Sequence, residues 1–226
     1  MNIGLIMSAG RGDRSGLKYP KQFYRIKHKS ILKISVEKLF YNKNIDEVII
    51  VTNDEFYKKT EEEIRNMGNI KLVTGGKTRQ ESVFNGLKYI KENYNNVKFV
   101  FIHDSARPFI SEKLLNNVYR GVKENDSAIP VIDATETLSF VEKGIIKKMI
   151  DRNKIKIHQT PQAFNFEKIF SAYDELDGNL HNFTDDASIY LNKYNSVYTV
   201  KGDKMNVKLT TPEDFAIGEV IVDKRI

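Results

Sequence analysis

The first residues that suggest chemistry form a glycine-rich loop behind an apolar run near the start of the chain. Residues 3–7 are apolar and predict a buried strand, and the loop behind them includes Ser8, Ala9, Gly10 and Gly12. Glycine lets the backbone approach a phosphate closely, and successive N–H groups in such a loop can bind an anion. Because α/β sheets bind ligands at the edge where this loop would lie, the segment predicts a phosphate site.

Two cationic residues accompany this loop. Arg14 lies within it, and Lys21 follows in the sequence Pro20-Lys21-Gln22. The Walker A motif does not fit because no Gly-Lys-Ser/Thr triplet closes it, and the dinucleotide fingerprint does not fit because Ser15 stands where it needs glycine. ATP hydrolysis by a P-loop and hydride transfer are therefore disfavoured, whereas a phosphate-bearing ligand bound in another way is favoured.

A carboxylate follows a second apolar run, at residues 99–102. His103 and Asp104 come directly after this run. A carboxylate at the end of a buried strand is a suitable hard oxygen ligand for a Mg²⁺ that bridges a triphosphate. The alternative is a helix or turn cap, but the place behind a strand favours the metal role for Asp104.

These residues need a scaffold, and the rest of the chain predicts one. Short apolar runs alternate with longer segments of helical period, which is typical of β-α-β units and a largely parallel sheet. The predicted strands are residues 3–7, 47–52, 70–73, 98–102, 128–132 and 196–200. The predicted helices are residues 31–40, 54–66, 78–92, 111–123, 166–175, 184–193 and 212–222, with Ser111, Thr184 and Thr211 as N-caps and Pro212 in a first turn.

One segment departs from this alternation. Residues 135–148 form two β-like runs around Glu142-Lys143-Gly144, which predicts a hairpin. The hairpin is a candidate dimerisation arm at residues 134–153, and a hairpin packed on its own domain is the alternative. Because no linker or repeat interrupts the chain, we expect residues 1–226 to form a single domain with this arm.

The composition limits the classes of partner. Lysine and arginine number 36 against 30 aspartate and glutamate, so phosphate-bearing ligands are plausible. The basic residues are scattered and predict no nucleic-acid surface. The chain has no cysteine, which excludes thiolate metal sites and a cysteine nucleophile. The apolar N-terminal run is too short for a membrane span, so we expect a cytoplasmic protein with no membrane contact.

Five blocks together resemble a known family. They read Ser8-Ala9-Gly10 through Lys21-Gln22, Gly75-Gly76-Lys77-Thr78-Arg79-Gln80-Glu81-Ser82-Val83, His103-Asp104-Ser105-Ala106-Arg107-Pro108, Asp151-Arg152 with Thr160-Pro161-Gln162, and Thr184-Asp185-Asp186-Ala187-Ser188 with Asn206-Val207-Lys208. In this order they resemble the cytidylyltransferases that act on 2-C-methyl-D-erythritol 4-phosphate, together with relatives that act on ribitol 5-phosphate. The resemblance implies an α/β, Rossmann-like three-layer nucleotidyltransferase fold from which the hairpin arm projects.

The resemblance also implies a role for each block. Three cations would act in catalysis: Arg14, Lys21 and Lys208. The nucleotide would contact Ser8, Ala9, Gly10, Gly12, Gly76, Lys77, Arg79, Ser82, Asp104 and Ser105, with Mg²⁺ at Asp104. The acceptor phosphate would contact Arg107, Thr135, Arg152, Thr160 and Thr184, with Arg152 reaching across a homodimer.

These roles suit the chemistry of nucleotidyl transfer from CTP to a small polyol phosphate. Extra negative charge develops on a pentacovalent phosphorus, and the three cations could neutralise it. A phosphate monoester is largely ionised near neutral pH because its second pKa is about 6. The attacking group therefore needs no general base.

Two questions stay open from the sequence. Where the family has an Asp-Thr pair and then lysine, this chain reads Asp133-Ala134-Thr135-Glu136-Thr137, so either Thr135 or Thr137 would take the place of the family's threonine. The expected acceptor is 2-C-methyl-D-erythritol 4-phosphate, with ribitol 5-phosphate or another polyol phosphate as the alternative. A nucleotide-binding protein without turnover is a hypothesis of another class. It is disfavoured because binding alone would not need Arg14, Lys21, Asp104 and Lys208 together.

Overall fold

The computed structural model describes residues 1–12, 15–176 and 178–223, and its largest element is a mixed β-sheet. The strands are β1 (Asn2–Ser8), β2 (Arg25–Ile26), β3 (Lys29–Ser30), β4 (Glu47–Thr52), β5 (Lys71–Thr74), β6 (Phe99–Asp104), β7 (Ser127–Asp133), β8 (Leu138–Glu142), β9 (Ile145–Ile150), β10 (Lys156–His158), β11 (Gln162–Asn165) and β12 (Thr199–Lys201). The helices are α1 (Ile31–Phe40), α2 (Tyr57–Ile64), α3 (Arg79–Asn93), α4 (Glu112–Asn125), α5 (Phe166–Asp174), α6 (Asp186–Tyr194) and α7 (Pro212–Asp223).

The parallel half of the sheet consists of β5, β4, β1 and β6, side by side in that order. These strands agree with the predicted runs to within two residues. A parallel strand covered by helices on both faces is apolar at nearly every position, so its run stands out in the sequence. The prediction of this half is confirmed for that reason.

The other half of the sheet contains antiparallel strands that the sequence analysis missed. β11 lies between β6 and β7 and runs antiparallel to both, with Ala163 opposite Phe101 and Ala128. β7 also pairs with β10, which is antiparallel, and with β12, which is parallel. Strands of three and four residues have too few alternating positions to be recognised in a sequence. The strand predicted at 196–200 is β12, which begins three residues later.

Helices cover both faces of the sheet and make it the middle of three layers. On one face, Ile3 and Leu5 of β1 belong to a buried cluster with Phe84 of α3, Tyr173 of α5 and Ile189 of α6. On the other face, Ile6 and Ile50 belong to a cluster with Val36 of α1, Ile64 of α2 and Val118 of α4. The predicted three-layer α/β class is therefore confirmed.

The helix starts follow ordinary capping chemistry with one correction. Ser111 caps α4 as predicted, since its side chain accepts a hydrogen bond from Leu114 N at 3.2 Å. Thr184 was predicted to cap α6, but the cap is Asp185, whose carboxylate accepts from Ser188 N at 2.9 Å. An aspartate competes well for this position because its negative charge also favours a helix N-terminus.

The hairpin lies outside the main sheet. β8 and β9 pair only with each other among the described strands, and most of their side chains are exposed. At its base, Arg152 Nη1 donates to the carbonyl oxygen of Thr135 at 2.8 Å. No helix in the part of the chain that the structure describes is long and apolar enough to cross a bilayer.

Candidate active site

A cleft lies where β1 and β6 end, between the first and fourth parallel strands of the chain. Neighbouring strands at this point connect in opposite directions across the sheet, and such a switch point leaves a crevice beyond the carboxyl ends of the strands. The volume of the cleft is about 210 Å³. Its lining comes from five separate parts of the chain: residues 7–10, 21–22, 76–79 with 82, 104–106, and 208.

The glycine-rich loop is held in place by Gln22. The Gln22 side-chain amide donates to the carbonyl oxygens of Ser8 at 3.0 Å and Gly10 at 3.1 Å, and Gln22 itself is buried. Gly12 has a φ of +79°, and a Cβ there would lie 2.9 Å from Cγ of Lys21. A larger residue at position 12 would therefore displace the aliphatic part of the Lys21 side chain. In the sequence, Gln22 belongs to the Pro20-Lys21-Gln22 motif, but nothing in that motif predicts this structural role.

A second glycine pair brings the loop before α3 against the first loop. A Cβ on Gly75 would lie 2.7 Å from Cβ of Ala9, so only glycine allows this approach. The Gly76 N–H donates to Ser82 Oγ at 3.0 Å, and the Lys77 N–H donates to the Glu81 carboxylate at 2.7 Å. These bonds fix a segment that the resemblance assigns to the nucleotide.

Asp104, at the end of β6, is the centre of the charge in the cleft. Lys208 Nζ lies 2.6 Å from Asp104 Oδ2, and Arg79 Nε lies 3.3 Å from Asp104 Oδ1. Burial disfavours the ionised carboxylate, but the charges of Arg79 and Lys208 outweigh it and hold the pKa of Asp104 well below its usual range. Asp104 therefore stays anionic at any physiological pH.

Lys21 reaches the same cleft from the other side of the loop. Its Nζ donates to the carbonyl oxygen of Leu209 at 3.0 Å, one residue beyond Lys208. Lys21 and Lys208 are therefore brought together by a contact between segments almost 190 residues apart in sequence. Arg14, the third predicted cation, lies outside the described residues.

A buried aspartate that the sequence analysis did not single out orients Arg79. The Arg79 guanidinium donates to both carboxylate oxygens of Asp186, which is the first residue of α6 and is completely buried. Asp186 also accepts from the hydroxyl of Tyr173 at 2.6 Å. The sequence contains a signal for this role in the two adjacent acids of Thr184-Asp185-Asp186. Only one of them can cap the helix, so the other is available to pair with a cation.

A hydrogen-bonded chain behind β6 supports Asp104. The Asp104 N–H donates to Thr160 Oγ1 at 3.1 Å, and that oxygen lies 3.0 Å from Nδ1 of His103. Asn206 Nδ2 in turn donates to the carbonyl oxygen of Thr160 at 2.8 Å. Burial lowers the pKa of His103 to about 4, so its ring is neutral near pH 7. Thr160 is buried behind the cleft and does not line it.

These observations coincide with what comparison with known proteins finds. The family model described as IspD: 2-C-methyl-D-erythritol 4-phosphate cytidylyltransferase matches residues 3–224. The chain belongs to this family. It is 37% identical to the enzyme of that name from Petrotoga mobilis, over 99% of both chains. It is 35% identical to the one from Clostridioides difficile, over 97% of this chain and 92% of the relative.

Solved cytidylyltransferase structures share the fold. The structure of 4-diphosphocytidyl-2C-methyl-D-erythritol synthase from Anaerococcus prevotii matches with a TM-score of 0.84 at 25% identity, covering 99% of this chain and 96% of that one. The Francisella tularensis 2-C-methyl-D-erythritol 4-phosphate cytidylyltransferase matches with a TM-score of 0.82 at 30% identity, covering 97% and 99%. The nucleotidyltransferase fold expected from the five blocks is confirmed.

The residues that the cytidylyltransferase resemblance assigns to the acceptor lie in two places. Arg107 lies behind Asp104, where its Nη1 donates to the carbonyl oxygen of Asn206 at 2.8 Å, and burial lowers the pKa of its guanidinium. Thr184 is exposed beside the cap of α6. Thr135 and Arg152 lie at the base of the hairpin, and none of these four residues lines the cleft.

The Ser8 side chain has an unusual environment. Ser8 lines the cleft and is 2% exposed, and its Oγ has no hydrogen-bond partner among the described residues. A desolvated hydroxyl without a partner is unfavourable, so this atom is suited to a hydrogen bond with an occupant of the cleft.

Proposed function

We propose that the protein transfers the CMP unit of CTP to 2-C-methyl-D-erythritol 4-phosphate and releases pyrophosphate. The observation that carries the proposal is the convergence of Lys21, Lys208, Arg79 and Asp104 on one cleft beside a glycine-rich loop. Membership of the cytidylyltransferase family supports the choice of CTP and of this acceptor.

The reaction is a displacement at the α-phosphorus of CTP. A phosphate oxygen of the acceptor forms a bond to the α-phosphorus. At the same time the bond between the α-phosphorus and the oxygen that bridges it to the β-phosphate breaks, so pyrophosphate leaves. Lys21 and Lys208 lie where they can neutralise the charge that develops, and Arg14 is proposed as a third cation. Positioning and charge neutralisation suffice because the attacking phosphate is already ionised.

Mg²⁺ is part of the proposal, with Asp104 as its protein ligand. No group of three or more histidine, aspartate and glutamate side chains in the described ranges could hold a metal ion alone. Mg²⁺ often binds through one or two carboxylates together with substrate phosphates and water, so a single ionised aspartate in the cleft fits this ion. Bound there, Mg²⁺ would offset the negative charge of the triphosphate.

The nucleoside is assigned to the other wall of the cleft. Gly76, Lys77 and Ser82 line it there, and Ser105 lines the floor behind β6. Hydrogen bonds within this segment hold its backbone rigidly, which suits selection of one base. We therefore propose that cytosine contacts the 76–82 segment and that ribose lies near Ser105.

The proposal includes a homodimer formed through the arm of residues 134–153. Five apolar side chains of β8 and β9 are each at least half exposed: Phe140, Val141, Ile145, Ile146 and Met149. An exposed apolar surface of this kind marks a protein interface. Within the dimer, Arg152 at the base of the arm would enter the acceptor site of the second copy, while Arg107 and Thr184 would serve it from the same copy.

Both substrates are charged and water-soluble, so we place the reaction in the cytoplasm.

The test is pyrophosphate release from CTP and Mg²⁺ with a panel of acceptors. We expect turnover with 2-C-methyl-D-erythritol 4-phosphate and little with ribitol 5-phosphate or glycerol phosphate. Faster release with ribitol 5-phosphate would keep the chemistry and change the acceptor. CTP binding without pyrophosphate release for any acceptor would favour a nucleotide-binding protein without turnover.

A further inference from the structure

His158 lies among the residues expected to bind the acceptor, although neither its sequence context nor the family match gives it a role. It is the last residue of β10, and its carbonyl oxygen accepts from Arg107 Nη2 at 3.3 Å. Its ring Nδ1 lies 2.9 Å from Oδ2 of Asp185, the residue that follows Thr184. Thr160 is two residues further along the chain. His158 therefore contacts Arg107 directly, and its ring contacts the residue next to Thr184.

One edge of the His158 ring is held and the other is open. The Asp185 carboxylate that holds it is itself fixed, since it accepts from Gln162 Nε2 at 3.0 Å and from the N–H of Ser188 at 2.9 Å. The His158 side chain is 48% exposed, and its Nε2 has no hydrogen-bond partner in the described part of the chain. A ring oriented in this way can donate a hydrogen bond to a ligand through Nε2.

The charge on this ring is favoured by its surroundings. The hydrogen bond with Asp185 and the charge of that carboxylate raise the pKa of His158, although partial burial opposes this. Arg107, by contrast, already donates to two carbonyl oxygens, and its Nε is buried with no hydrogen-bond partner among the residues that the structure describes. His158 therefore offers an accessible cationic donor beside an arginine whose donors are partly committed.

We propose that His158 binds the acceptor: its imidazolium, oriented by Asp185, donates a charge-assisted hydrogen bond from Nε2 to an oxygen of the phosphate monoester. This inference rests on the proposed function and names one more contact in the same site. Such a bond between a cation and a phosphate is stronger than a neutral one and depends on protonation of the ring.

The contact has a defined dependence on pH. The charged groups on the elements around His158 are Asp185, Arg107, Lys156, Asp133 and Lys201, and of these only Asp185 forms an ion pair with the ring. As the pH rises through the pKa of His158, the ring loses its proton and the bond weakens. The acceptor phosphate also titrates, with a second pKa of about 6. The ratio of KM values between a variant and the wild type cancels this common effect.

The experiment compares His158→Gln with the wild type in steady-state kinetics from about pH 6 to about pH 9, a range that spans histidine titration. We expect the acceptor KM of the variant to be about 3- to 10-fold higher near pH 6, the effect of a partly exposed charged contact. The ratio should fall toward one at the alkaline end, and the KM for CTP should be unchanged throughout. The matched control is His28→Gln, which changes an exposed histidine on the β2–β3 turn and should give wild-type values at each pH.

Two results would overturn the role of His158. An acceptor KM equal to that of the wild type at every pH would remove the residue from the site. A raised KM with the same ratio at every pH, together with a lower melting temperature, would mean that the side chain only supports the cap of α6. A wild-type enzyme that transfers CMP to no acceptor would instead contradict the proposed function.

Discussion

Arg79 and Asp186 form a two-point ion pair, with Nη1 2.9 Å from Oδ1 and Nη2 2.7 Å from Oδ2. Arg79 is the first residue of α3 and Asp186 the first residue of α6, so the pair joins two helix starts on one face of the sheet. The third nitrogen, Nε, is thereby directed at Asp104. The geometry of the charged cleft therefore depends on a carboxylate that does not line it.

Asp186→Asn is expected to destabilise the protein strongly. It removes the charge of a completely buried carboxylate and leaves the partly exposed Arg79 with only Asp104 as a charged partner, and breaking a buried ion pair in this way costs about 3 kcal/mol. Urea denaturation measures the change in the free energy of unfolding. Turnover should also fall, because Arg79 would no longer be held against Asp104.

The control for this prediction is Glu175→Gln, which removes an ion pair with Lys193 on the protein surface. An exposed pair contributes about 0–1 kcal/mol, so this variant should unfold almost like the wild type. Equal stability of Asp186→Asn and Glu175→Gln would contradict the importance given to the buried pair.

Ser8→Ala is expected to change stability and binding in opposite directions. The free energy of unfolding of the free protein should stay the same or rise by up to about 1 kcal/mol, because the variant lacks a buried hydroxyl that has no partner in the described part of the chain. The stabilisation by CTP, measured as the rise in melting temperature at fixed CTP concentration, should become smaller. Binding would weaken by about 5-fold if one hydrogen bond of about 1 kcal/mol is lost.

Ser35→Ala is the matched control for Ser8. The Ser35 hydroxyl is also buried, but it donates to the carbonyl oxygen of Ser105 at 2.7 Å. Its removal should destabilise the free protein, the reverse of the Ser8 result. An unchanged response to CTP in Ser8→Ala would show that the hydroxyl does not meet the nucleotide.

The lowered pKa of His103 predicts that the protein loses stability in mild acid. Burial lowers its pKa to about 4, whereas the unfolded chain binds the proton near its ordinary value of 6.5. Between these values the unfolded state binds more protons, so stability falls as the pH decreases, by up to roughly 3 kcal/mol from this group. Urea midpoints at about pH 7 and about pH 4.5 measure the effect. His103→Gln should reduce this fall, and His28→Gln should leave it unchanged.

The sequence predicted the parallel strands and the helices because their apolar periodicity is long enough to read. The sequence also predicted that Lys21, Lys208 and Asp104 share one site, because each lies in a block that resembles the family, and all three line the cleft. It did not predict β11, although the peptide group of Asp104 depends on Thr160 just before that strand. Interactions of this kind join residues far apart in the chain, and no local pattern records them.

Two buried polar roles illustrate the same limit. Gln22 and Asp186 look in the sequence like a loop residue and a first-turn acid. Only the folded chain shows that Gln22 donates to two carbonyl oxygens of the glycine-rich loop and that Asp186 holds Arg79. Burial changes what each side chain does, and burial is a property of the tertiary structure.

The exposed apolar surface of the arm predicts a dimer, and negative charges introduced into this surface should dissociate it. Val141 and Ile146 face each other across the hairpin and are at least half exposed. Val141→Asp combined with Ile146→Asp should convert a dimer to a monomer of 26.1 kDa in sedimentation equilibrium. Lys147→Glu, a charge change on the same strand, should leave the dimer intact. A wild-type protein that is monomeric would contradict this role for the arm.

We propose that Lys21, Lys208 and Asp104 neutralise and position one triphosphate, and Lys208→Met removes one of these charges. Pyrophosphate release from CTP with 2-C-methyl-D-erythritol 4-phosphate should fall about 100-fold or more, the usual loss when one group that stabilises the transition state is removed. Lys204→Met, which changes an exposed lysine on the same segment, should keep the wild-type rate. A Lys208→Met enzyme that is folded and turns over at the wild-type rate would show that Lys208 does not stabilise the transition state.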